Sequence, residues 1–372
     1  MKLKNKIMSL VLCGILLIGT VAFTGCGSSN TSNTDAAATS ESTETRIFTD
    51  SCGREVEIPA EITSVVPSGN LAQIFLFAIA PDLLIGISGA WSDDAVEYID
   101  EKYVNLPEIG QFFGKSDLNY EEIASMDPDI IIDVGEYKDD IEEDMDEITE
   151  KTGIPVVHIT ADIDNYDEAF TTLGDLLGCE EEAEELASYS ANAYQTAVDM
   201  MEEVDADDAR KTVLYCVGED GLHVIARDSY HSSVIDLLSD NAAVVDSPSS
   251  KGSGNEVDIE QILQWNPDVI LFAPSGYYDY AGDAAMWIYL TAIKNDTYYE
   301  VPNGPYNWMG FPPSSNRIMG MIWMSELLYP EYSDYDMEEE TIAYYSLFFH
   351  CDLTHEQYLE LTENSIQKLE SE

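Results

Sequence analysis

Apolar and polar positions along this chain fall into one unit that occurs twice. Residues 118–135 read LNYEEIASMDPDIIIDVG, and residues 257–274 read VDIEQILQWNPDVILFAP. Superposed, Glu121 falls on Glu260, Ile123 on Ile262, Pro128 on Pro267 and Asp129 on Asp268. Each copy opens with a helix-capping residue, Asn119 or Asp258, followed by Glu122 or Gln261 at the spacing of a capping box. A short helix follows. Asp127-Pro128 or Asn266-Pro267 stops it, because proline disfavours helical geometry in the residue before it. The apolar runs Ile130 to Val134 and Val269 to Ala273 suit strands buried on both faces. One such unit in each half predicts two similar α/β lobes that face each other.

The same patterning places the remaining elements. Residues 46–59 read as a hairpin turned at Ser51-Cys52-Gly53, Ile62 to Val66 and Leu84 to Ile87 as strands, and Leu71 to Ile79 as an apolar helix. Ile154 to Ile159 is the last strand of the first half. Between Asp164 and Val204 there is no proline and hardly any glycine, and alanines and acids recur at helical spacing. That stretch predicts a long helix joining the halves, with Gly178 as a point where it could break. In the second half Thr212 to Val217 and Leu222 to Ala226 read as strands, followed by a helix ending near Leu238. After the second repeat come an amphipathic helix near Ala284 to Ile293, a strand around Tyr299 to Val301 and a helix from Arg317 to Leu328. Two apolar-periodic helices near 336–349 and 355–370 close the chain.

Composition adds charge and an address. The 372 residues suffice for two lobes with real cores. With 72 acids against 16 bases the formal charge is −56, a field that repels nucleic acid and anionic membrane and argues against both as partners. Lys2, Lys4 and Lys6 precede an apolar segment, Ile7 to Phe23, and then Thr24-Gly25-Cys26, the layout of a secretory signal with its small-residue cleavage site. Serine, threonine, asparagine and alanine dominate the residues that follow, which read as a polar tether. The chain therefore divides into a signal peptide (1–25), a tether (26–45), an N-terminal lobe (46–163), a connecting helix (164–208) and a C-terminal lobe (209–372). Cys52, Cys179, Cys216 and Cys351 are scattered without C-x-x-C spacing, which argues against zinc or thioredoxin-like chemistry. In an exported protein they could pair, and sequence leaves the connectivity open.

With these pieces placed, the chain resembles the substrate-binding proteins of ABC importers for iron–siderophore complexes, haem and cobalamin. TDSCGREVEIP at 49–59, both repeat copies, MIWMSELLYPE at 321–331 and FFHCDLTHEQYLEL at 348–361 carry the resemblance, which covers nearly the whole mature chain. It implies an α/β fold of two Rossmann-like lobes, each a central, mostly parallel sheet flanked by helices. One long rigid helix joins them, and the ligand cleft lies between. Cys26, directly after a small residue, resembles the lipidated cysteine of bacterial lipoproteins, which implies a monomer anchored by lipid to the outer face of the cytoplasmic membrane. The implied partner is an ABC permease dimer with its ATPase. In such proteins a glutamate on each lobe docks with arginines of the two permease subunits, and Glu121 and Glu260 occupy that place.

In open α/β sheets ligands gather outside the carboxyl ends of strands. Applied here, that rule selects Ser68, Asn70, Trp91, Phe112, Lys115 and Tyr137 in the first lobe, and Arg227, Tyr230, Tyr277, Tyr278, Trp308 and Arg317 in the second. Arg227 and Arg317 are candidates to pair with ligand carboxylates or an oxyanion. Trp308, in a loop rich in proline and glycine and away from any apolar period, is the foremost aromatic candidate. The first strand-end loop holds Ser68, Gly69 and Asn70 but no histidine, and His231 has no evident second ligand, so a bare-metal site is disfavoured and no metal-ligating residue is assigned. His158 reads as structural, and His350 and His355 lie far down the C-terminal helices. No G-x-S-x-G, H-E-x-x-H, P-loop or G-x-G-x-x-G motif is present, so neither an enzyme nor a cofactor is expected. The expected ligand is a chelated metal or macrocycle: a ferric siderophore first, haem or cobalamin next. An oxyanion such as molybdate or tungstate, a bare metal ion, or a non-transport role as surface receptor or adhesin are the alternatives.

Overall fold

The computed structural model describes residues 44–113 and 117–370. The signal peptide, Cys26, most of the tether and Lys115 lie outside the described residues.

Antiparallel strands β1 (Thr45–Thr49) and β2 (Glu55–Pro59) form the N-terminal hairpin. The carboxylate of Asp50 organises its turn, accepting the amides of Cys52 and Arg54 and the Arg54 guanidinium. The first lobe is a parallel sheet in the order β3 (Val65–Pro67), β4 (Ile130–Gly135), β5 (Val156–Thr160). Leu84 and Ile87, expected in a full strand, make only single bridges to Val65 and Glu108. Helices α1 (Asn70–Ile79), α2 (Glu101–Val104), α3 (Tyr120–Met126) and α4 (Ile141–Thr152) belong to this lobe.

The connecting stretch is two helices, α5 (Tyr166–Leu177) and α6 (Glu180–Ala206), because Gly178 takes a left-handed conformation (φ 71°) that ends α5. The two fold against each other so closely that a Cβ on Gly174 would lie 2.4 Å from that of Ala183. With 27 residues, α6 is about 40 Å long.

The second lobe contains β6 (Thr212–Val217), β7 (His223–Val224), α7 (Ser233–Leu238), β8 (Asp240–Asn241), β9 (Asn255–Glu256), α8 (Ile259–Trp265) and β10 (Val269–Phe272). After them come α9 (Tyr278–Ala281), α10 (Thr291–Lys294), β11 (Tyr298–Glu300) and α11 (Asn316–Leu328). Its sheet runs β11-β10-β6-β7-β9 with β8 beside β6; β8, β10 and β11 follow the parallel sense of β6, while β7 pairs antiparallel with both β6 and β9. The amphipathic helix expected over 284–293 is broken. Met286 has φ 76° and Leu290 is extended, which lets both Trp287 and Leu290 reach the core. Three helices finish the chain: α12 (Met337–Phe349), α13 (His355–Thr362) and α14 (Ile366–Glu370), the last two replacing one expected helix.

The repeat keeps its geometry in both lobes. Asn119 accepts the amide of Glu122 at 3.1 Å and Asp258 that of Gln261 at 2.8 Å, so the capping half of the expected box forms in each. Asp127 and Asn266, the residues before the prolines, are both left-handed, with φ 50° and 44°. The next acid then ties its strand to the neighbouring one. Asp129 Oδ2 accepts the amides of Thr63 and Ser64 and the Thr63 hydroxyl, and Asp268 Oδ2 accepts the amide and hydroxyl of Thr212.

One hydrophobic core runs through both lobes. Helix α12 returns to the first lobe, where it touches α1, and its Phe348 packs on Phe170 of the connecting α5 with ring centroids 5.9 Å apart. The expected α/β architecture of two lobes with parallel sheets is thus present, and shared packing holds the lobes together.

Candidate functional site

A cavity of about 250 Å³ lies between the lobes. Its first-lobe wall is Ser68, Gly69, Asn70, Leu71 and Ala72 where β3 enters α1, Asp133 to Glu136 at the end of β4, and Phe113 and Lys138. Its second-lobe wall is Tyr230, His231, Ser250 and Pro313.

Helix α1 is aimed at this space without local compensation. No side chain caps it, its first turn holds no acid, and the amides of Asn70, Leu71 and Ala72 find no acceptor among the described residues. The positive end of its dipole therefore faces the cavity. Gly135 (φ 154°) lets β4 end at the foot of this helix: a Cβ there would sit 3.1 Å from Leu71 Cδ2.

Beneath the wall, Asp133 is buried. Ser68 Oγ donates to its Oδ1, and Nδ1 of the fully buried His158 lies 2.6 Å from its Oδ2. Lys138 stands 4.0 Å over the Phe113 ring and makes no ion pair among the described residues.

Across the cleft, Tyr230 donates from its hydroxyl to the carbonyl of Ala161 at 3.3 Å, a bond that crosses between lobes. Ser314 to Leu71 O (3.1 Å) crosses as well, and Tyr166 of the connecting α5 donates to Ser314 O (3.0 Å). Arg317 lies one layer behind the wall, 1% exposed. Its Nη2 donates to Tyr230 O at 3.0 Å, its guanidinium carbon is 4.3 Å above the Tyr230 ring, and Nη1 has no partner. His231 stacks on Phe311 with ring centroids 5.1 Å apart, and its Nδ1 is buried without a hydrogen bond. Burial first, and the nearby Arg317 second, lower its pKa to about 4, so this ring is neutral at physiological pH. Burial raises the pKa of Asp162, opposed by Arg317.

Of the residues selected from sequence, Ser68, Asn70 and Tyr230 line the cavity, and Arg317 backs it. The others stand elsewhere. Trp91 is buried, donating to Tyr103 O and packing on Phe77 and Tyr306. Trp308 is 1% exposed, packed edge-on to Trp323 and bonded to the Tyr345 hydroxyl, so the loop that looked like a cleft wall is core. Phe112 packs into a small first-lobe cluster, and its neighbour Phe113 faces the cavity instead. Tyr137 is exposed between the lining residues Glu136 and Lys138. Arg227 turns away to donate twice to Asn241 O. Tyr277 and Tyr278 join the second lobe's own apolar cluster, against Trp287 and Tyr298. The sequence reading passed over Asp133 and Lys138. Asp133 carried a signal, a lone acid inside an otherwise apolar strand; Lys138 carried none beyond its loop.

Glu121 and Glu260 are exposed in the first turns of α3 and α8 and do not line the cavity. Cys52, Cys179, Cys216 and Cys351 are free thiols. Among the described residues no helix is long and apolar enough to cross a membrane, and no group of three or more His, Cys, Asp or Glu could hold a metal ion.

Comparison with known proteins places this geometry. The chain is 25% identical over 303 residues to the Fe(3+)-citrate-binding protein YfmC of Bacillus subtilis, covering 80% of this chain and 89% of that one. It is 22% identical over 335 residues to the molybdate-binding protein MolA of Haemophilus influenzae, covering 82% and 91%. Its fold superposes on the ABC transporter solute binding protein of Sulfurospirillum deleyianum with a TM-score of 0.76 at 27% identity, covering 86% of this chain and 99% of the other. Molybdate-bound MolA shares the fold with a TM-score of 0.64 at 19% identity, covering 83% and 99%. The model of the periplasmic binding protein family matches residues 84–303, more than half of the sequence, and the chain belongs to that family.

Proposed function

We propose that this chain, as the solute-binding protein of an ABC importer, captures a compact anionic ligand in the cavity between its lobes. The observation that carries this reading is the wall itself: three amides at the start of α1 without acceptors face a space of about 250 Å³. Unpaired helix-end amides and dipole together make a ready anion site. The buried guanidinium of Arg317, with one nitrogen unpartnered behind Tyr230, adds positive potential from the other lobe.

Size narrows the ligand. Clefts for drug-sized molecules span roughly 300–1,000 Å³, so a haem or corrinoid asks for more room than this cavity has. Within the expected class of metal chelates, the small ones suit it best; an oxyanion suits it too. The names of two relatives, one binding Fe(3+)-citrate and one molybdate, support a ligand of that scale. Calorimetric titration of the purified chain tests this: micromolar or tighter binding of ferric citrate or molybdate is expected, and none of haem or cobalamin. Binding of haem or cobalamin with no response to the small anions would overturn it.

Delivery completes the role. Glu121 and Glu260 are the proposed contacts to the two permease subunits, supported by their equivalent exposed positions in the repeat. The basic and apolar leader before Cys26 supports a lipid anchor on the outer face of the cytoplasmic membrane. A Cys26→Ala form should leave the membrane fraction; a mutant that stays there with its leader uncleaved would refute the anchor.

A further inference from the structure

We infer that the cavity selects a ligand that brings hydrogen-bond donors and its own cation, a metal hydroxycarboxylate in preference to a bare tetrahedral oxyanion, and that Glu136 sets this choice. The inference rests on the cavity being the ligand site. The acceptor-less amides of α1 and the ammonium of Lys138 would serve any anion equally. What separates one anion from another is the opposite chemistry on the same wall.

Two carboxylates close the end of β4. Asp133, 6% exposed, has Ser68 on one oxygen and His158 on the other, so it is fixed in place by bonds on both sides. Glu136 lines the cavity three positions on, and no hydrogen bond or ion pair holds it among the described residues. Lys138 does not neutralise it, since that ammonium lies over Phe113 and forms no ion pair. An ionised carboxylate can only accept hydrogen bonds. A fully deprotonated tetrahedral oxyanion also only accepts, so beside Glu136 it meets like charge in a partly dehydrated space with no bond to offset it. A hydroxycarboxylate chelate of a trivalent metal differs on both counts. Its carboxylates can accept from the α1 amides, its hydroxyl or metal-bound waters can donate to Glu136, and the metal cancels much of its charge. Discrimination by placing an unpaired charge against the wrong ligand is a general device.

The test is calorimetric titration of the full chain and its Glu136→Gln variant with ferric ion in excess citrate, citrate alone, and sodium molybdate. Glutamine keeps the size of the side chain, and Glu136 has no structural bond to lose. The wild type should prefer ferric citrate to molybdate by at least a hundredfold. The variant should narrow that ratio at least tenfold, mostly by binding molybdate more tightly. Citrate alone should bind more weakly than its ferric complex, because it brings no cation. Equal wild-type affinity for ferric citrate and molybdate, or a ratio untouched by the substitution, would overturn the role of Glu136 and leave the compact-anion reading standing. Binding of none of the three probes would overturn that reading, and this inference with it.

Discussion

Asp129 and Asp268 show how one side chain can set the register of a lobe. Each follows a proline and each spends one carboxylate oxygen on the backbone and hydroxyls that begin the adjacent parallel strand. For Asp129, burial pushes the pKa up, but the bonds from Thr63 and Ser64 outweigh it and hold the carboxyl below its ordinary value. A depressed pKa in the folded state means stability that is present above the unfolded value, near pH 4, and is lost as pH falls through the folded one. We expect Asp129→Ala to lower stability by about 1 kcal/mol near neutrality. That difference should shrink below about pH 4, as the wild-type carboxyl protonates. Denaturant melts of both proteins across that range would check this; a pH-independent difference would mean the acid acts through packing alone.

At the scale of elements, the two short helices α3 and α8 repeat cap, length and left-handed ending, and each presents a glutamate outward in its first turn. An acid there meets the positive end of the helix dipole, worth roughly 0.3–1 kcal/mol, which would explain either glutamate alone. It does not explain a matched pair on two lobes while the next position differs, Glu122 against Gln261. A two-fold permease can read matching charges at matching places. Single and double Glu121→Ala and Glu260→Ala variants should keep ligand affinity within about twofold, well under the 1.4 kcal/mol that marks a tenfold change. Uptake, or stimulation of the transporter's ATPase, should fall, most in the double variant. Normal uptake by the double variant would leave the helix-end role as the whole account.

For the molecule as a whole, the largest core is shared by both lobes, beside a smaller cluster in each. Helix α12 lies late in the sequence yet packs its aromatic face against α1 of the first lobe and the connecting α5, and hydrogen bonds from Tyr230 to Ala161 O and from Ser314 to Leu71 O cross the cleft. Ligand entry is therefore expected to need little rearrangement. The buried Phe348 sits at this junction, stacked on Tyr344 with ring centroids 4.4 Å apart. Phe348→Ala should cost about 3–5 kcal/mol and lower the melting temperature of the entire chain in one transition. Two resolved calorimetric transitions in the wild type would show that the lobes unfold independently.

Much of this architecture was legible in the sequence, because it is written in local rules. The period of apolar residues, the caps at Asn119 and Asp258 and the prolines at 128 and 267 placed the repeated helices and strands. Local rules also named the strand-end loops, and with them Ser68, Asn70 and Tyr230. They could not tell which side chains of a loop face the cleft. That depends on packing between segments far apart in sequence. Trp308 is drawn inward by Trp323 and Tyr345, Arg227 by the carbonyl of Asn241, and Tyr277 by Trp287. The same holds for the break over 284–293, where two apolar residues reach the core only if the helix gives way. Sequence determined where most of the elements lie. The tertiary structure decided what each turn points at, because burial is settled by neighbours the local sequence does not contain.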